Sequence, residues 1–451
     1  CAIAFYPLVI ALRTWIFAIF KNPRFTLYLF YLSRVAASGY EGNPGGIFQW
    51  NTNVVWPILW WAAVLVCATW AYHTPSLKKM GLLALAGLAG KFSLACLAAG
   101  GLSILPKKIL SLSTSYYQLT YIVHSIGPWN FIQSFNVFQR LLGPHGISHP
   151  FGPEIFYWAL IRAGGGPWTA ALVVMSLTAL TPVLLYLLAL ELGAGPRAGL
   201  AAGLLYMTSP AACILSTSGI DSLVSLVFLA CGLAAVRAVT RESVRWGFLA
   251  GLLLFTASLL TVATVYLALV LALSAAAYRL HRPKNNGMFL HALALVFLTP
   301  LVFHAALWAA TLGNFSYIRV ARSAAPFGFF PRGRPAYLWS WLNPLLFLGY
   351  AGAGTLALTV CAGLAWLLEG QRPSRAALIP LAVLAGVWLQ GLAFGECQRV
   401  FHWGYTALSL LAFSSPLWRR NQKGGIGVLA LLATLNVLAS AGLMITVLNY
   451  W

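Results

Sequence analysis

Aspartate and glutamate number only seven in this chain of 451 residues. A mechanism that needs a carboxylate therefore has few places to find one. Asp221 is the sole aspartate, and the glutamates are Glu41, Glu154, Glu191, Glu242, Glu369 and Glu396. A carboxylate beside histidines and hydroxyls is suited to taking a proton from a hydroxyl that is about to attack. Glu41, Glu154, Asp221 and Glu396 fall at the outer ends of spans or in outer loops, the layer that also holds His124, His145, His149 and His402. Glu191, Glu242 and Glu369 sit beside arginines and read as ordinary interfacial charge.

Each acid has a local setting. Glu154 lies in "GPHGISHPFGPEIFY", 143–157, where Pro150 and Pro153 fix the backbone and Gly152 permits a turn. His145 and His149 are four apart, but Pro144, Gly146 and Pro150 argue against a helix that would point both at one metal, and no HExxH occurs, so no metal is expected. Asp221, in "STSGIDSLVS", opens a span and suits either a helix N-terminal cap or a site carboxylate. Glu396 and Arg399, in "FGECQRVFHW", can form an ion pair on one helical face or line a pocket. Lys91, in "GLAGKFS", falls near mid-span and suits either function or inter-helix packing. That stretch lacks the first glycine and the Ser/Thr of a P-loop.

The elements that must position these groups are apolar. Hydrophobic residues make up 60% of the chain and charged residues 8%, against roughly 25% charged in soluble domains. Too little charge is present to cover a soluble surface. The formal charge of +21 reflects scarce acids more than abundant bases, and no basic stripe suited to nucleic acid is evident. The seven cysteines show no paired spacing and read as small buried hydrophobes. A lipid-modified Cys1 stays open.

Apolar runs of span length predict about 12–14 transmembrane helices, the first two near 1–20 and 25–38, with others near 79–104, 167–193 and 199–216. The basic pairs and triplets Lys78–Lys79, Arg237–Arg241–Arg245, Arg279–Arg282–Lys284, Arg372–Arg375 and Arg419–Arg420–Lys423 then fall on one side, which the positive-inside rule assigns to the cytoplasm. Five regions follow: N-terminal spans over 1–104, a long outer loop over 105–166, central spans over 167–312, a second outer loop over 313–344, and C-terminal spans over 345–451. The outer loops are rich in aromatics, Gly and Pro, so they are expected to form amphipathic helices on the membrane surface. No inverted repeat of the kind secondary transporters use is evident.

Three stretches carry a family resemblance. "SYYQLTYIVHSIGPWNFIQSFNVFQRLLGPHGISHPFGPEIFYWALIRAGG" (115–165) resembles the first outer loop of GT-C glycosyltransferases, the polytopic enzymes that include protein O-mannosyltransferase and aminoarabinose transferase relatives. "SHPFGP" (148–153) stands where the bacterial mannosyltransferase-like branch often has "THPPGP". "GAGPRAGLAAGLLYMTSPAACILSTSGIDSL" (193–223) looks like the family's two-helix stretch, and "GECQRVFHW" (395–403) is similar to a late GE-x-x-R element.

The resemblance implies an all-α polytopic membrane protein, a GT-C-like bundle with amphipathic outer-loop helices, in a bacterial inner membrane with its site on the outer face. It implies transfer of a sugar from a polyprenyl-phosphate donor to a glycan, lipid or protein acceptor, with no cofactor. Glu154, Asp221 and Glu41 are then the catalytic acids to consider. His149, His145, Tyr116, Tyr117, Glu396, Arg399, Arg319 and Arg322 are substrate-binding candidates, and Arg332, Arg334, Lys107 and Lys108 are further phosphate partners. The pattern departs in one place: "SLSTSYYQL" (111–119), where the family's first-loop acid usually lies, has no carboxylate. Either Glu154 or Glu41 substitutes, or the chain is a catalytically degenerate relative serving as a subunit of a larger membrane complex.

Overall fold

A computed structural model describes residues 52–98, 101–110, 116–139, 142, 149–214, 219–281, 287–328, 343–344, 347–369, 379, 381–385, 403–413 and 425–447. Glu41, His145, Glu396, Arg399, Arg332, Arg334, His402, Cys1, the first two expected spans and the basic segments at 372–375 and 419–423 lie outside the described residues.

The described residues are all-α. In chain order the helices are α1 (Val55–His73), α2 (Leu77–Ala95), α3 (Ile104–Ile109), α4 (Thr120–Ile126), α5 (Pro128–Phe138), α6 (Gly152–Arg162), α7 (Pro167–Thr178), α8 (Thr181–Glu191) and α9 (Pro196–Thr208). There follow α10 (Pro210–Ile214), α11 (Ile220–Thr240), α12 (Val244–Leu260), α13 (Thr264–His281), α14 (Gly287–Ala310), α15 (Tyr317–Gly328), α16 (Ala353–Glu369), α17 (Trp403–Phe413) and α18 (Gly425–Val447).

Five stretches are long and apolar enough to cross a membrane: Val55–His73, Pro167–Glu191, Ile220–Thr240, Gly287–Ala310 and Gly425–Gly442. Three shorter apolar helices, Val244–Leu260, Thr264–Leu280 and Ala353–Leu367, accompany them. This is an integral membrane protein. Two expected spans are interrupted. The 167–193 stretch turns at Ala179–Leu180 before the Thr181–Pro182 start of α8, and the 199–216 stretch breaks at Ser209, because Pro210 has no N–H to continue the ladder. The expected 79–104 span ends at Ala95.

Within the bundle, α9 is buried on every side from Ala198 to Thr208, as a helix at the centre of a core must be. On one flank α12 and α14 lie backbone to backbone. A Cβ on Gly247 would lie 2.3 Å from the Ala292 carbonyl oxygen, and one on Gly251 would lie 2.5 Å from that of Leu295. Two glycines one turn apart permit this approach, which gives van der Waals contact where lipid offers no hydrophobic drive.

Among the described residues, the helix directions place the basic residues of separate segments together. Arg197, at the start of α9, donates to the Tyr72 carbonyl at the end of α1, beside Lys78 and Lys79. Glu191, at the end of α8, pairs with Arg237 and Arg241 at the end of α11. Because α12 and α14 run parallel, the 241–245 turn and the start of α14 share that end. Asn436 and Ser440 bond to the Leu205 and Thr208 carbonyls, so α18 runs parallel to α9 and starts there too.

The opposite end carries a second, smaller core. Val123, Phe131, Phe135, Leu142, Phe151, Phe315 and Val320 form it, with Phe151 edge-on to Phe315 at 5.0 Å between ring centroids. It joins α4, α5 and the Phe151 turn to the start of α15. Two amides tie the same segments together: Asn136 donates to the Asn314 carbonyl at 2.8 Å, and buried Gln139 to that of Val320 at 3.2 Å. Both α5 and α15 are amphipathic. They bury Phe131, Phe135 and Val320, and they expose Trp129, Val137, Ile318, Arg319 and Arg322.

Candidate functional site

The site residues that sequence points to divide between two places at the end opposite the basic segments. Tyr116, Tyr117, His149, Glu154 and Asp221 belong to one of them, together with Lys108 and Tyr157. Arg319 and Arg322 belong to the other.

Helix α6 is seated by its first turn. His149 Nδ1 lies 3.0 Å from the Leu260 carbonyl at the end of α12. A carbonyl only accepts, so Nδ1 carries the proton and donates. Gly152 then passes so near Leu259 that a Cβ there would lie 2.3 Å from its carbonyl oxygen. With the helix start fixed, Glu154 and Tyr157 share the face turned to the main core, while Ile155 and Trp158 pack on the second core.

Glu154 is fully buried, and no neighbouring residue hydrogen-bonds either carboxylate oxygen. Burial pushes its pKa up to about 8, with its own main-chain N–H opposing the shift. Glu154 is therefore a neutral acid at pH 7, a donor rather than a base in this arrangement. Burial also raises the Tyr157 hydroxyl, and the Asp221 carboxylate raises it further, which puts Tyr157 in electrostatic reach of Asp221. Asp221 is half-buried in the first turn of α11, where the N-cap position is taken by Gly219. Its negative charge is favoured there by the helix dipole.

Aromatic rings flank the cluster, and one ammonium lies at the same end of the bundle. Tyr116 stands edge-on to His149 at 5.4 Å, and Tyr117 edge-on to Tyr157 at 5.8 Å. Lys108, at the end of α3, donates to the Ile214 carbonyl at 2.8 Å, just before the segment that leads to Asp221. Burial of the ammonium lowers its pKa to about 7. The group can thus gain or lose a proton near neutrality, and an incoming anion would favour the charged form.

Arg319 and Arg322 do not join this cluster. They line an open groove of about 540 Å³ between α5 and α15, together with Gln133, Ser134, Asn136, Val137, Asn314 and Ser323. No residue of the carboxylate cluster lines it. Arg319 and Arg322 stand apart from Glu154, because the second core takes up the inner faces of α5 and α15.

Lys91 is buried in the bundle, where it donates to Thr178 at 2.7 Å and borders a small hollow with Tyr206 and Met207. Sequence reading missed two features. Tyr157 follows Glu154 by one helical turn, a spacing that is visible in the sequence once a helix is assumed. The contact of Ser258 with His304, 2.7 Å from Oγ to Nε2, joins residues 46 apart and has no sequence signal. Ser258 Oγ also lies 2.6 Å from the Phe255 carbonyl, which only accepts. The single hydroxyl proton goes there and His304 donates from Nε2, so Ser258 is not activated as a nucleophile. Among the described residues, no three His, Cys, Asp or Glu side chains are grouped to hold a metal.

No protein-family model matches the chain, and no curated protein sequence matches it.

Proposed function

We propose that this protein is a membrane glycosyltransferase, moving a sugar from a polyprenyl-phosphate donor to an acceptor hydroxyl at the membrane face opposite its basic segments. By the positive-inside rule that face is the outer one, in a bacterial inner membrane. The observation that carries the reading is the grouping of Tyr117, His149, Glu154, Tyr157 and Asp221 at one end of an apolar bundle, the end that also holds Lys108. The resemblance of 115–165 to a GT-C outer loop supports it. An apolar wall with a few convergent polar groups suits a lipid-tailed substrate.

In this reading Lys108 meets the donor phosphate as a point charge. Asp221, half-buried, takes the proton of the acceptor hydroxyl. The acceptor oxygen forms a bond to the anomeric carbon, the bond from that carbon to the phosphate oxygen breaks, and polyprenyl phosphate leaves with the electron pair.

A second reading is favoured by a specific observation. Glu154 is sealed among its neighbours, and neither it nor Asp221 lines the α5–α15 groove or the hollow at Lys91. That closure suits a catalytically degenerate scaffold held as a subunit of a larger membrane complex. One assay separates the two. Purified full-length protein in lipid is incubated with radiolabelled polyprenyl-phosphate sugars and membrane extract. Transfer that Asp221→Asn abolishes supports the enzyme. No transfer with any donor, together with fixed partner chains that co-purify, supports the subunit.

A further inference from the structure

We infer that the groove between α5 and α15 binds the phosphate of a membrane lipid headgroup through Arg319 and Arg322. This site is separate from the carboxylate cluster and does not rest on the glycosyltransferase reading.

Charge is the first argument. Arg319 and Arg322 are three apart on the exposed face of α15, and both line one groove. Like charges at that spacing repel. No carboxylate lines the groove among the described residues. A bound anion relieves the repulsion, and paired guanidinium groups match phosphate geometry.

The groove is also built rather than incidental. Asn136 Nδ2 holds the Asn314 carbonyl at 2.8 Å, Thr311 Oγ1 accepts from the Phe315 N–H at 3.2 Å, and Val320 and Ala324 anchor α15 from within. The Asn314 carbonyl requires the donor end of the Asn136 amide, so Oδ1 is the other end. That oxygen is buried and has no partner. Being an acceptor, it suits a hydroxyl or ammonium of the headgroup, not the phosphate.

Neighbouring surface selects lipid over free phosphate. Exposed Trp308 and Leu312 mark where α14 leaves the apolar layer, Ile318 is exposed beside Arg319, and exposed Val137 lines the groove itself. An aromatic at a span's end with apolar and cationic side chains above it is the signature of the headgroup level. A volume of about 540 Å³ lies within the usual range for small-molecule sites.

The test uses the full chain extracted from vesicles of mixed phosphatidylcholine and phosphatidylglycerol, with retained lipid counted by native mass spectrometry. The double variant Arg319→Gln/Arg322→Gln should retain phosphatidylglycerol about tenfold less, or weaker still. Arg245→Gln, an exposed arginine at the basic end, should leave retention unchanged. Ser323→Trp keeps both arginines but fills the groove, and it should also lose the lipid. Equal retention in the wild type and the double variant overturns the proposal. Displacement of the lipid by soluble pyrophosphate at millimolar concentration overturns the lipid source and assigns the groove to free phosphate.

Discussion

His149 Nδ1 donates to the Leu260 carbonyl, and three residues later Gly152 lies against the Leu259 carbonyl. This double contact between one loop and one helix end seats α6, and α6 carries Glu154 and Tyr157. Gly152→Ala forces a methyl to 2.3 Å from a main-chain oxygen that cannot move alone. It should destabilise the protein by about 1–3 kcal/mol. Gly232→Ala, in the interior of α11 with nothing within 4 Å, should be neutral or stabilising by up to about 1 kcal/mol. Thermal unfolding in detergent measures both. Equal melting temperatures for the two variants would show that α6 is not held this way.

Glu154 makes stability depend on pH. Its pKa rises from an ordinary 4.5 to about 8 in the folded protein. Between those values the folded state holds the proton more firmly than the unfolded state does. Its contribution is therefore complete below pH 4.5 and is lost as pH rises through about 8. The slope is at most about 1.4 kcal/mol per pH unit. Glu154→Gln, a neutral side chain of the same shape, should remove this slope from a series of melting temperatures between pH 5 and 8. Parallel curves for the variant and wild type would count against a buried neutral acid.

Asn436 closes a helix end that is not its own. Its Oδ1 accepts from the Gly354 and Thr355 N–H groups in the first turn of α16, while Nδ2 donates to the Leu205 carbonyl and to Thr355 Oγ1. Those two amides have no partner within α16, since they open it. Asn436→Leu strands buried donors in an apolar layer and should cost about 2 kcal/mol or more. A denaturant titration that places the variant within 0.5 kcal/mol of wild type, about the scatter of a surface substitution, would refute the capping role.

Glu191 bridges two arginines, with Arg237 Nε at 2.7 Å and Arg241 at 2.5 Å. Arg237 is the more buried partner, with its side chain 18% exposed against 53% for Arg241. Glu191→Gln should lower stability by about 1–3 kcal/mol. Arg241→Gln should lower it by less than about 1 kcal/mol. Equal losses from the two substitutions in thermal unfolding at low salt would show that the exposed pair is the one that matters.

Composition and hydropathy determined the class of this protein. With 8% charged residues, its surface has to face lipid, and runs of about 20 apolar residues read directly as spans. The grouping of Lys78, Lys79, Arg237, Arg241 and Arg245 at one end was legible for the same reason, because charge at helix ends is a local property of the sequence. The breaks at Ala179–Leu180 and Ser209 were marked by Pro182 and Pro210, yet apolar content hid them inside single expected spans. What each polar residue faces was decided by tertiary structure alone. Arg319 and Glu154 look equivalent in sequence, two charged groups in long connections. The second core places one in an open groove, and the seat of α6 seals the other among apolar side chains. Helical periodicity fixes which residues share a face, but which neighbour that face meets depends on contacts between segments more than a hundred residues apart. The close approach of Gly152 to Leu259 and the bond from Lys108 to Ile214 are such contacts.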